Sequence, residues 1–217
     1  VINNRFEISD GITNMNNVTI TSKNANGIVA NQGTLNIRNS EITVPNGIAI
    51  TKTSSSEKDM IINLLSSVII NASTAINNGN NGRFIVNIGI KDGNVNVKDP
   101  VITGTEYGIY NNYGTINYYD GVITGATDKA IFGTVSDVES GYKISTEKND
   151  TQSIATLGLI GETESVAKVN GLYYGTLENA IKSVPTTGVE TSVVLTSKIT
   201  LQNNITIKKG QNIKLYL

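Results

Sequence analysis

The sequence predicts an all-β protein: a right-handed, single-stranded parallel β-helix with three short strands per turn, followed by a short C-terminal helix and further strands. Three observations predict it. Two near-copies lie back to back between Asp99 and Gly133, DPVITGTEYGIYNNYGTINYY and DGVITGATDKAIFG. The same order of features recurs upstream in SSVIINASTAI (Ser66 to Ile76), SEITVPNGIAI (Ser40 to Ile50) and NNVTITSKNANGI (Asn16 to Ile28). The composition is rich in Asn (29 residues) and Gly (21) and only 16% charged. Self-similarity at such a period is the mark of a solenoid. Asn and Gly suit its many corners, because both tolerate left-handed backbone.

Each repeat reads as a β-branched strand, a polar corner, a small residue followed by Ile, a second corner, and a third extended piece. The strand cores of the last two copies are Val101-Ile102-Thr103 and Val122-Ile123-Thr124. The register Ile residues are expected to be Ile28, Ile48, Ile76, Ile109 and Ile131, at separations of about 20, 28, 33 and 22 positions. That jitter belongs to surface loops, where insertions are tolerated. Ile109 and Ile131 are expected to be fully buried neighbours. The third pieces include GTLNI (Gly33 to Ile37), FIVNI (Phe84 to Ile88) and GTINY (Gly114 to Tyr118). Their apolar residues alternate with polar ones, the period-2 pattern of a strand with one buried face. Stacking three such strands per turn gives parallel pairing at roughly 4.8 Å. Crossover chirality makes the coil right-handed.

In order, Arg5 to Met15 begins the coil as an incomplete turn, and residues 1–143 are expected to form about five turns. Thr51 to Asp59, Gly79 to Gly82 and Lys91 to Pro100 are polar excursions. The last carries Asp92-Gly93-Asn94 turn chemistry and is expected to add a small outer hairpin. Residues 144–166 are expected to be a linker or a terminal covering segment, with Ser145 to Ser153 as the boundary and Ala155 to Gly161 as a covering strand. Residues 167–217 are expected to start a second, truncated β-helix. There Leu177, Ala180, Ile181 and Val184 share one helical face, Thr176 is the N-cap and Pro185 stops the helix. Four strands are expected to follow, at Val193 to Leu195, Ile199 to Leu201, Ile205 to Ile207 and Ile213 to Leu217. The chain opens VINNRF rather than with Met and is expected to be a piece of a longer protein.

The segment NGLYYGTLENAIKSVP, with VVLTSKITLQNNITIKKGQNIKLYL after it, resembles the opening of β-helix domains in large surface proteins of Gram-positive bacteria. In those, a Tyr-x-Thr-Leu-x-x-Ala-Ile helix caps the first turn. The upstream turns are similar in pattern to the pectate-lyase-like β-helix superfamily. The resemblance implies an extracellular, adhesin-like structural protein. The same superfamily includes polysaccharide lyases and glycoside hydrolases, so an enzyme fragment whose catalytic turns lie outside this chain is the competing reading.

The residues argue against chemistry. There is no Cys and no His, which removes thiolate sites and the commonest general base and metal ligand. The polygalacturonase pattern therefore lacks its Gly-His-Gly. The net charge of −1 gives no reason to expect nucleic acid or an anionic membrane as partner. A surface glycan or protein is the expected partner, and no cofactor is expected.

Two groups of side chains stand out. Asp99 and Asp120 precede equivalent strand cores and should be neighbours at roughly 5 Å. That spacing suits a retaining glycosidase pair or a calcium site, yet Asp-Pro and Asp-Gly are also ordinary turn openers. Glu106 and Asp128 stack in the same way, with Lys129 to neutralise them. The other group is aromatic. Tyr107, Tyr110, Tyr113 and Tyr119 are expected to point outward as a candidate binding surface, with Tyr118 inward. Asn77-Asn78 and Asn111-Asn112 are expected to form a corner ladder.

Overall fold

A computed structural model describes residues 5–53, 58–79, 83–201 and 204–217. The expected excursions at 51–59 and 79–82 lie partly outside the described residues. The chain forms two compact units: Val1–Val138 with Ile144–Leu157, and Glu139–Lys143 with Gly158–Leu217.

The first unit is a parallel β-helix. It opens with β1 (Phe6–Ile8), β2 (Ile12–Asn16), β3 (Thr19–Thr21) and β4 (Ile28–Ala30). It continues through β5 (Gly33–Arg38), β6 (Ser40–Thr51), β7 (Met60–Leu64), β8 (Val68–Asn78) and β9 (Phe84–Ile88). It ends with β10 (Val101–Asn111), β11 (Thr115–Tyr118), β12 (Val122–Ala126), β13 (Ile131–Phe132) and β14 (Val135–Val138). Strands β2, β5, β7, β9, β11 and β14 stack as one sheet of six, more rungs than the five turns expected. The remaining strands stack in a second sheet. There β6, β8 and β10 each carry two of the three expected strands, joined through an irregular corner.

Pairing follows the repeat. Val101, Ile102 and Thr103 lie beside Val122, Ile123 and Thr124, and Ile109 lies beside Ile131. One position is corrected. The apolar column runs Ile28, Ile50, Ile76, Ile109, Ile131, with Ile50 in place of Ile48. Between Val44 and Ile48, β6 carries two more residues than β8 does between their partners Ala72 and Thr74. Pro45, Asn46 and Gly47 widen that corner, so Gly47-Ile48 imitates the small-plus-Ile step while Ala49-Ile50 fills it. Ile48 is half-buried and Ile50 fully buried. The residue before each column Ile has to be small. A Cβ on Gly108 would lie 2.5 Å from the Ala130 carbonyl oxygen and 2.6 Å from Ile123 Cγ2.

The corner leading from the six-stranded sheet into the other is turned by left-handed residues, two of them Asn. Asn17, Asn39 and Ser67 sit there with φ of 58°, 47° and 55°, and Gly121 with 90°. Asn tolerates this region better than most residues with a Cβ. Inside the coil Leu35, Ile37, Ile62, Leu64, Val86, Ile88 and Ile116 are fully buried. Tyr118 joins them, its hydroxyl 2.8 Å from the carbonyl oxygens of both Gly121 and Ala155. Burial pushes the Tyr118 phenol well above its ordinary pKa, with the Asp120 charge adding to the effect.

The segment expected as a linker is instead a hairpin of β15 (Tyr142–Lys148) and β16 (Gln152–Leu159). Its turn is held by Asn149 Oδ1, which accepts from the Thr151 and Gln152 amides. Strand β16 pairs antiparallel with β12, placing Thr124 beside Ile154. It overlaps Ala155 to Gly161, where a covering strand was expected, but begins earlier, at Gln152. The expected outer hairpin at 91–100 is absent; Lys91 to Pro100 turns without strands, Gly93 donating to the Ile90 carbonyl and Asp99 to that of Asn96.

The second unit contains β17 (Ala167–Val169), β18 (Leu172–Tyr174), helix α1 (Leu177–Lys182), β19 (Glu190–Leu195) and β20 (Asn212–Tyr216). Asn170-Gly171, both at positive φ, turn β17 into β18. Thr176 caps α1 by accepting from the Asn179 amide at 3.1 Å. Gln211 Nε2 donates to the Ile181 and Val184 carbonyls at the other end, 2.7 Å each. The expected face of Leu177, Ala180, Ile181 and Val184 packs on Ala167, Val169, Tyr174 and Val193. Strands β19 and β20 are parallel, Val193 beside Leu215. Ile199 to Leu201 and Ile205 to Ile207 form no strands among the described residues, because β20 pairs directly with β19 and takes the edge they would need.

The corrected register makes a testable contrast. Ile109→Asp and Ile50→Asp each place an unpaired charge in the core and should lower stability by more than about 3 kcal/mol. Ile48→Asp should cost under about 1 kcal/mol. Chemical denaturation read by circular dichroism distinguishes them, and equal losses at Ile48 and Ile50 would restore the original register.

Candidate binding surface

The outer face of the six-stranded sheet carries an Asn on five successive rungs: Asn14, Asn36, Asn63, Asn87 and Asn117, in register. Each Nδ2 donates to the Oδ1 of the rung before it. The distances are 2.8 Å for Asn36 to Asn14, 2.6 Å for Asn63 to Asn36, and 2.7 Å for both Asn87 to Asn63 and Asn117 to Asn87. Sequence reasoning placed its Asn ladder at the corners and missed this one. The signal was the fourth-position Asn shared by GTLNI, MIINL and FIVNI, with its counterpart in GTINY. The next rung substitutes Asp137 beside Asn117. Asp137 accepts from Lys91 Nζ at 2.6 Å and from the Tyr119 hydroxyl at 3.1 Å. The expected corner ladder is also present in part: Asn78 Nδ2 donates to Asn111 Oδ1 at 2.8 Å, with both residues buried.

Asp99 and Asp120 occupy successive rungs of one corner. Both oxygens of Asp99 accept from the Ser67 amide at 2.8 Å. Both oxygens of Asp120 accept from the Asn96 amide, at 2.7 and 2.8 Å, and Oδ1 also accepts from Gly121 at 2.7 Å. Burial raises the Asp120 pKa, the two amide hydrogen bonds lower it, and the Asp99 charge raises it again. These carboxylates work as acceptors for turn amides, the role the Asp-Pro and Asp-Gly turns predict. Glu106 and Asp128, expected to stack, are drawn to different cations, Glu106 to Lys129 at 4.0 Å and Asp128 to Lys148.

The aromatic candidates divide. Tyr107 and Tyr110 meet edge to face with centroids 5.0 Å apart. Phe132, which the sequence reading did not select, stacks on Tyr110 at 4.8 Å and 5° and lies 6.1 Å from Tyr107. Tyr110 and Phe132 are register partners on adjacent rungs, which is why their rings are parallel. Lys129 Nζ sits 4.7 Å over the Tyr107 ring. Tyr113 is exposed and stacks with no described ring. Tyr119, expected to point outward, is buried, with its ring near Lys91 and its hydroxyl on Asp137.

Two further features complete the surface. Lys52 is a fully buried lysine at the position one rung before Asn78. Its Nζ donates to the Lys58 and Arg83 carbonyls at 3.1 and 2.8 Å. Burial lowers its pKa and the Asp59 charge partly restores it. A cavity of about 310 Å³ separates the last rung from the β15–β16 hairpin, with Ala130, Ile131, Val135, Ile144 and Ala155 in its lining. Ile131 is therefore half-buried rather than fully buried as expected.

No protein-family model, curated protein or solved structure matches the chain.

Asn63→Ala removes the middle of the outer ladder and both hydrogen bonds that Asn63 makes within it. It should lower stability by about 1–3 kcal/mol, while Asn14→Ala, at the end, should cost less than about 1 kcal/mol. Equal losses, measured by chemical denaturation, would show that the ladder is not a connected stabilising element.

Proposed function

We propose that the chain is a non-catalytic structural and adhesive module of a bacterial cell-surface protein, acting outside the cell to space or present binding surfaces. The observation that carries this reading is where the polar side chains go. Five Asn side chains hold one another in a continuous outer ladder, and the stacked Asp pair is engaged by turn amides. These groups are used to fix rungs and corners. Bracing of turn amides is the use that ordinary Asp-Pro and Asp-Gly turn openers make of a carboxylate. The resemblance of the last fifty or so residues to the openings of β-helix domains in Gram-positive surface proteins, an adhesin-like setting, favours the same reading. Strands β19 and β20 add to it, because parallel pairing across a long connection is how the first unit is built as well.

Two measurements test it. Antibody raised against the chain should label intact, unpermeabilised cells of the organism that makes it, and labelling only after lysis overturns the surface assignment. The purified chain, given polygalacturonate or plant and bacterial glycans with calcium, should release neither unsaturated nor reducing ends. Turnover that disappears in Asp99→Asn or Asp120→Asn would establish the carbohydrate-active enzyme instead.

A further inference from the structure

The aromatic cluster on β10 and β13 has no counterpart on the rung before it. Tyr110 pairs with Asn77 there and Tyr107 with Thr74, so the outward positions turn aromatic only at the last rungs. Phe132 remains 42% exposed although it stacks on Tyr110. A Thr, as at position 74, also suits a strand and would leave no apolar ring in water.

We infer that Tyr107, Tyr110, Phe132, Lys129 and Glu106 form a binding site for a short, uncharged oligosaccharide. The inference rests on the surface-module reading and supplies its ligand class. A pyranose has an apolar face of C–H groups and a rim of hydroxyls. Such a face packs on an exposed aromatic ring, which offers large contact area at low entropic cost. The rim needs a donor and an acceptor close together. Lys129 Nζ and Glu106 Oε1 stand 4.0 Å apart, too far for a hydrogen bond to each other. Adjacent sugar hydroxyls fit between them, one accepting from the ammonium and the other donating to the carboxylate. Both groups are partly exposed, and each balances the other's charge, so the patch has no net attraction for a polyanion. The ammonium lies over Tyr107, and Tyr107 lies 6.1 Å from Phe132, which joins the polar pair and the exposed ring into one continuous patch. β10 offers a peptide no free edge, because it is paired on one side by β8 and on the other by β12 and β13, and β13, paired with β10 alone among the described strands, is only 2 residues long.

The test is a nuclear magnetic resonance titration of the isotopically labelled chain with uncharged di- to tetrasaccharides of glucose, galactose and N-acetylglucosamine. At least one series should shift the ring signals of Tyr107, Tyr110 and Phe132 together with Lys129. Phe132→Ala and Tyr110→Ala should each weaken that binding at least about tenfold. Lys129→Met keeps all three rings and should weaken it several-fold, while Tyr113→Ala should leave it unchanged. Circular dichroism and melting of each variant confirm that the fold persists. The site is overturned if no series shifts these rings at about 10 mM sugar, or if binding survives Phe132→Ala in a folded chain. It is equally overturned if short peptides, and no sugars, perturb the rings. None of these failures touches the cell-labelling or turnover results, so the ligand and the module reading stand or fall separately.

Discussion

Parallel register between successive rungs is the constraint on which the first unit depends. Side chains alternate along a strand, so a slip by one residue would move every inward Ile to solvent. The column Ile28, Ile50, Ile76, Ile109, Ile131 fixes the register from inside. The outer Asn ladder fixes it from outside, since each amide reaches only the equivalent amide one rung away. The two devices act on opposite faces of different sheets. One is driven by removal of apolar surface from water and the other by directional hydrogen bonds, so the first resists any exposure of the core and the second discriminates between registers.

Corners carry the second requirement. A coil must turn sharply between sheets at each rung without leaving amides unpaired. Asn17, Asn39 and Ser67 provide the left-handed residue on three rungs, and Gly121 on a later one. Asp99 and Asp120 then accept the amides that the turns leave unpaired. At the far end the solution changes. Strand β16 runs antiparallel to β12, so the continuing parallel path is closed over by a hairpin. An open pocket of about 310 Å³ lies between the last rung and the hairpin, and Ile131 is only half-buried there. The second unit begins differently again, spending the apolar face of α1 on its own small sheet.

The sequence by itself determined the parallel β-helix, its repeat, the inward alternation of its strands, and the helix with its Thr176 cap. These are local or periodic properties, and hydrophobic period and turn chemistry write them directly into neighbouring residues. The Asp-Pro and Asp-Gly turns were legible for the same reason. Only the tertiary structure decided the rest. Gly47-Ile48 and Ala49-Ile50 are equivalent as text, and the choice between them depended on how many residues the corner absorbs against the next rung. Alternation placed Tyr119 outward, but Asp137 and Lys91, distant in the chain, draw around it and cover it. Phe132 entered the aromatic cluster because β13 stacks on β10, a pairing between residues far apart in sequence. The Asn ladder was visible as a repeated letter, yet its meaning required the rungs to be stacked: an isolated Asn in a strand is a weak strand former, and five in register form a chain of hydrogen bonds.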